Sequence, residues 1–257
     1  MKMQSVVEPP FRQAVVEPID FARVAILLDV DGTIVDVAAT PQTVEVPQSL
    51  LETLATLHAR TGGALALVSG RLVENLDHLF MPLALPCIGG HGVEMRSSAT
   101  ALLHRRAIEL SPTLKSQLVE AAAVDPRIIV EDKGSSLAVH YRLAPDQALL
   151  MKAKIGAIVD RAASEKIEML CGKAVIEIKP RAFNKGTAVR ELMHIPPFAT
   201  RTPLFLGDDV TDESVFAILP ELGGFGYSVG RDIAGVDGVF GGPQDVRQWL
   251  AHLAANG

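Results

Sequence analysis

Short apolar runs alternate with amphipathic stretches along most of the chain. Residues 24–28 (VAILL), 64–68 (ALALV) and 85–88 (LPCI) are nearly unbroken apolar runs, the pattern of strands buried on both faces. Between the first two, Leu50, Leu51, Leu54 and Leu57 recur at helical spacing behind Pro47, which predicts a helix over 47–60. A second helix is predicted over 71–80. Strands and helices in strict alternation predict a parallel sheet with helices on its faces.

The rhythm then changes. Strands are predicted at 127–130 and 137–141 around a Lys133-Gly134 turn, and again at 167–170 and 174–178. Between the pairs a helical stretch runs from about 145 to 166, with Leu149, Leu150, Ile155, Ile158 and Val159. Hairpins flanking a helix predict a small α+β unit with an antiparallel sheet. After Pro180 the first rhythm resumes, with a helix from Asn184, a strand at 203–206, a helix from Thr211, a strand at 226–229 and a helix at 244–254. The expected class is therefore α/β. A Rossmann-like core with a parallel sheet (21–97 and 180–257) is split by an inserted α+β cap (98–179). Residues 1–20, with Pro9, Pro10 and Pro18, read as a loosely held tail.

Composition narrows the function classes. Of 257 residues 48% are hydrophobic and 21% charged, ample for a buried core and unlike a disordered chain. A net charge of -6 argues against a nucleic-acid partner, whose phosphates recruit basic surfaces. No apolar run approaches the roughly 18 residues of a membrane span. The N-terminus has charges and prolines where a leader would be apolar. Cys87 and Cys171 lie far apart and read as two reduced core thiols. These features lead us to expect a soluble, cytoplasmic protein.

Four segments carry chemistry, and each follows or opens a predicted core element. The first, LDVDGTI at 28–34, ends the first strand. In an extended backbone, Asp29 and Asp31 point the same way. Such a pair is costly unless a shared proton or a hard divalent cation relieves it. Gly32 lets the chain turn sharply there. The second segment is Ser69-Gly-Arg71, after the second strand, where a hydroxyl and a helix N-terminus suit an anion. The third is NKGT at 184–187. Lys185 at a helix start opposes the macrodipole, which becomes sensible only if it faces carboxylates or phosphate. The fourth is LGDDVTDE at 206–213, bringing Asp208 and Asp209 to the same sheet edge, with Asp212 in the first turn of the next helix, where the dipole also favours an acid. Gly224, Gly226 and Gly230 mimic a dinucleotide loop, but their spacing is wrong and no helix follows a first strand there.

In this order the four segments resemble the haloacid dehalogenase superfamily of phosphohydrolases. Within it, the GHG at 90–92, EDK at 131–133, HYR at 140–142, Gly172-Lys173 and EIKP at 177–180 resemble trehalose-6-phosphate phosphatases. The chain departs from that family at Gly89-Gly90. The resemblance implies Asp29 as a nucleophile that forms an aspartyl-phosphate, and Asp31 as the acid and then the base. Ser69 and Lys185 would hold the phosphoryl group. Asp29, the Asp31 carbonyl and Asp208 would ligate Mg²⁺, with Asp209 and Asp212 orienting. By the same resemblance Glu131, Lys133, Arg142, Lys173 and Glu177 would contact the sugar, and His91 would shape the link into the cap. A small sugar phosphate is the expected partner. Rival readings are a phosphatase for sucrose 6-phosphate or a glycosyl-glycerate phosphate, a phosphomutase, and a non-catalytic binding protein.

Overall fold

The computed structural model describes residues 19–38, 40, 43–106, 109–172 and 174–256. The expected tail lies outside the described residues, apart from Ile19 and Asp20, as does Lys173.

Among the described residues, eight strands build the core sheet. They are β1 (Val24–Leu28), β2 (Leu65–Val68), β3 (Cys87–Gly89), β4 (Glu94–Arg96), β5 (His104–Arg105), β10 (Thr202–Gly207), β11 (Phe225–Val229) and β12 (Gly238–Phe240). Their spatial order is β12-β11-β10-β1-β2-β3-β4-β5, parallel except for the antiparallel β3–β4–β5 edge. β4, β5 and β12 were not anticipated from the sequence. The β4–β5 hairpin carries the core sheet past residue 97, the position at which the cap was expected to begin.

β1 lies at the centre and shows why its run is apolar throughout. Ile26 and Leu28 pack on one face with α1 (Gln48–Arg60), α2 (Val73–Leu79) and α7 (Pro243–Asn256). Ala25 and Leu27 pack on the other with α5 (Lys185–Leu192) and α6 (Glu213–Phe216). Successive side chains point to opposite faces, so a strand covered on both sides must be apolar at every position. The helix expected from Thr211 is shorter than anticipated: a 3-10 turn at Val210–Asp212 leads into α6. β1 is flanked by β10 on one side and β2 on the other, and the chain reverses its direction of winding there. The crevice at the carboxyl ends of these strands is the usual ligand position in such sheets.

The second sheet is antiparallel, in the order β6-β7-β9-β8, built from β6 (Ile129–Asp132), β7 (Leu137–His140), β8 (Ile167–Gly172) and β9 (Val175–Pro180). One face is apolar: Leu137, Val139, Ile176 and Ile178 pack on α3 (Pro112–Ala122) and α4 (Ala148–Arg161). The opposite face carries the alternate residues. Register places Glu131, Ala138, Glu177 and Leu170 side by side across the four strands. This row faces the core. Cys87 is buried, but Cys171 is exposed: it shares a face with Ile167 and Met169, yet it stands one residue from the end of the edge strand β8.

Candidate active site

Asp29 follows β1 directly, and its backbone N–H bonds to the Leu206 carbonyl of β10, which ties the two acidic segments together. Lys185 is the first residue of α5. Its place is fixed by a capping box, in which the Asn184 side chain accepts from Thr187 N and the Thr187 hydroxyl accepts from Asn184 N. From there Lys185 Nζ donates to Asp29 Oδ1 and Asp212 Oδ1, both at 2.7 Å. Asp212 Oδ2 accepts the backbone N–H of Asp208 and Asp209, each at 2.9 Å, so it anchors the loop that carries them. Thr33 Oγ1 donates to Asp29 Oδ2 at 2.8 Å and approaches Asp208 Oδ1 at 3.4 Å. Gly32 must be glycine: its φ is +88°, and an added Cβ would stand 2.2 Å from Asp208 Oδ2.

The electrostatics follow from crowding. Burial, and then Asp212, pushes the Asp29 carboxyl up to about 6 against the opposing pull of Lys185. Burial alone would lower the Lys185 ammonium, but Asp212 and Asp29 raise it well above its ordinary value. Carboxylate oxygens of Asp29, Asp208 and Asp212 lie within 4.8 Å of one another. An all-oxygen acidic set suits a hard divalent cation. Asp29, Asp208 and Asp212 supply these oxygens, with Asp29 and Asp212 also accepting from Lys185.

The cleft spans about 1100 Å³, including the part open to solvent, and has two walls. Asp29, Asp31, Ser69, Lys185, Asp208 and Asp209 line the core wall; Glu131, Lys133, Arg142 and Glu177 line the wall formed by the second sheet. Apart from Asp212, which is fully buried behind Lys185, every described residue expected at the site lines one cleft. Two residues to which the sequence reading gave no role at the site also line it. Arg71 grips the Asp31 carboxylate with both Nε (2.7 Å) and Nη2 (2.8 Å). Burial opposes its charge, but Asp31, with Glu131 and Asp29 behind it, raises its pKa. The clue was its place within the Ser69-Gly-Arg71 turn. His91 is the second. It is buried, left-handed at φ 54°, and its Nε2 bonds Glu177 Oε2 at 2.6 Å.

The trehalose-phosphatase family profile matches residues 27–235. The chain belongs to that family. A probable trehalose-phosphate phosphatase of Sinorhizobium fredii is 42% identical over 215 residues, 83% of this chain and 80% of that one. The trehalose-6-phosphate phosphatase of Escherichia coli is 37% identical over 234 residues, 89% of this chain and 86% of that one. Among solved structures, the C-terminal domain of Candida albicans trehalose-6-phosphate phosphatase superposes with a TM-score of 0.82 at 24% identity. The match covers 91% of this chain and 92% of that domain, and it bears on the fold. The trehalose-phosphatase match takes in the acidic segments, Lys185 and the whole second sheet. Among the described residues no helix is long and apolar enough to cross a membrane.

Proposed function

We propose that the protein hydrolyses trehalose 6-phosphate to trehalose and inorganic phosphate through an aspartyl-phosphate on Asp29. One observation carries the reading: the Asp29–Lys185–Asp208 cluster and the polar row of the second sheet face each other across a single cleft. One wall suits a phosphoryl group and the other suits sugar hydroxyls.

Asp29 attacks phosphorus, and Thr33 and Lys185 fix the direction of its carboxylate. Lys185 offsets the negative charge that gathers during transfer, while the Ser69 hydroxyl lines the phosphate end. Asp31, held by Arg71, gives a proton to the departing sugar oxygen and later takes one from the hydrolytic water. Asp29, Asp208 and the Asp31 carbonyl hold Mg²⁺, which when bound neutralises charge on the phosphoryl oxygens. Asp212 and Asp209 orient this set. The second sheet with α3 and α4 acts as the cap, where Glu131, Lys133, Arg142, Lys173 and Glu177 contact the sugar. The free thiols Cys87 and Cys171 suit a reducing cytoplasm.

Phosphate release from trehalose 6-phosphate, sucrose 6-phosphate and a glycosyl-glycerate phosphate, with Mg²⁺ or with EDTA, tests this. We expect turnover of the first only, abolished by EDTA and by Asp29→Asn. Activity on the rivals alone would overturn the substrate, and full activity of the Asn variant would overturn the nucleophile.

A further inference from the structure

His91 reaches from the core to the second sheet. Its loop is stitched to the Ser69 turn, with Gly90 N–H donating to Arg71 O and His91 N–H to Ser69 O. The ring packs against Gly70, where any Cβ would stand 2.3 Å from His91 Nε2. A left-handed histidine is strained, so the surroundings must compensate for holding it there. Its Nε2 meets Glu177 Oε2, whereas the buried Nδ1 has no partner among the described residues. The ring therefore answers to Glu177 alone. Donation to a carboxylate places the proton on Nε2.

Glu177 has other holders, all on its own side of the cleft. Ser136 Oγ donates to Oε1 at 2.7 Å, and Lys133 Nζ approaches it at 3.4 Å while also donating to the Gly70 carbonyl. Burial would raise this carboxyl, but His91, Lys133 and the hydrogen bond from Ser136 hold it well below the ordinary range. Burial in turn lowers the His91 imidazole, with Glu177 opposing and Lys133 and Lys185 assisting. Only Oε2 is fixed from the core.

We propose that His91 is a positioning residue that sets the Glu177 carboxylate for the sugar, so that its hydrogen bond, beside the one from Lys133 to the Gly70 carbonyl, aligns the phosphate-binding turn with the sugar-reading wall. The proposal rests on the reading of Glu177 as a sugar contact. It explains why a histidine occupies a backbone conformation that glycine or asparagine would adopt with less strain.

The test compares His91→Asn, which suits the left-handed backbone but is too short to reach Glu177, with His91→Gln, whose amide nitrogen reaches the position of Nε2. Kinetics are read on trehalose 6-phosphate and on p-nitrophenyl phosphate, a small generic ester. We expect His91→Asn to raise KM for trehalose 6-phosphate about tenfold, with kcat nearly unchanged and the generic ester within twofold. His91→Gln recovers most of the loss, and His91→Asn adds nothing in a Glu177→Ala background. If Glu177→Ala raises KM and His91→Asn does not, the positioning role is overturned while the sugar contact stands. If Glu177→Ala itself leaves KM unchanged, the sugar contact fails and the proposal falls with it. Equal loss on both substrates in both His91 variants would mean a folding role and would also overturn the proposal.

Discussion

Replacing Asp29 with asparagine removes one negative charge from a buried cluster in which three carboxylates lie within 4.8 Å of one another beside Lys185. The hydrogen bonds survive the change. The new amide oxygen accepts from Lys185 Nζ, and its nitrogen donates to Thr33 Oγ1, whose own proton turns to Asp208 Oδ1 at 3.4 Å. What is lost is charge. In the metal-free protein, burial and then Asp212 raise the Asp29 carboxyl from 3.8 to about 6. At about 1.4 kcal/mol for each tenfold change in proton affinity, ionised Asp29 costs the fold about 3 kcal/mol. Below the unfolded value Asp29 is protonated in folded and unfolded chains alike, and there is no cost. The cost grows as pH rises through the window between 3.8 and about 6, and is complete above it. In EDTA at pH 7.5 the asparagine variant should therefore melt higher than the parent, by roughly 6 °C or more for a chain of this size. Lowering the pH to about 4 should close the gap. Calorimetry in EDTA across that range makes the measurement, and Mg²⁺ should then raise the parent's melting temperature more than the variant's. An equal or lower melting temperature for the variant at pH 7.5, or a gap independent of pH, would refute the reasoning.

Lys185→Met acts in the opposite direction. It leaves Asp29 and Asp212 buried without their cation and should cost about 3–5 kcal/mol by urea unfolding in EDTA, so an unchanged midpoint would contradict the cluster. Arg71→Met releases Asp31 and should lower kcat for trehalose 6-phosphate by about tenfold or more at similar stability, since acid–base groups contribute about 10²–10⁴. A normal kcat would show that Asp31 needs no holder. Ala138→Val adds two methyl groups between Glu131 and Glu177, so KM for trehalose 6-phosphate should rise about tenfold with the generic ester nearly unaffected. Parallel losses on both substrates would mean that residue 138 does not floor the sugar site.

The central strands were legible because β1, β2 and β10 are covered on both faces, and such strands can only be apolar runs. Lys185 was legible as an anomaly: a cation at a helix start makes sense only beside anions, and Asp29 and Asp212 supply them. The β4–β5 hairpin was not legible, since three residues of β4 and two of β5 offer one apolar side chain, Met95, and no run or alternation. α3 was missed although Ser111 caps it and Leu114 and Leu118 form its stripe; between two unread connections that short pattern does not stand out. Arg71 and His91 escaped for a different reason. Their meaning lies in Asp31 and Glu177, which are distant in sequence and brought near only by the fold.

The row Glu131–Ala138–Glu177–Leu170 turns the backbone of the second sheet into a gauge. Glu131 and Glu177 sit two strand spacings apart, about 10 Å between backbones, a separation set by main-chain hydrogen bonds rather than by either side chain. A slip of one residue in β6 or β9 would swing its acid into the layer packed on α3 and α4. New sugar preferences in this lineage should therefore arise by exchanging what stands on the rungs, at 138 or 170, while the ladder keeps its pitch.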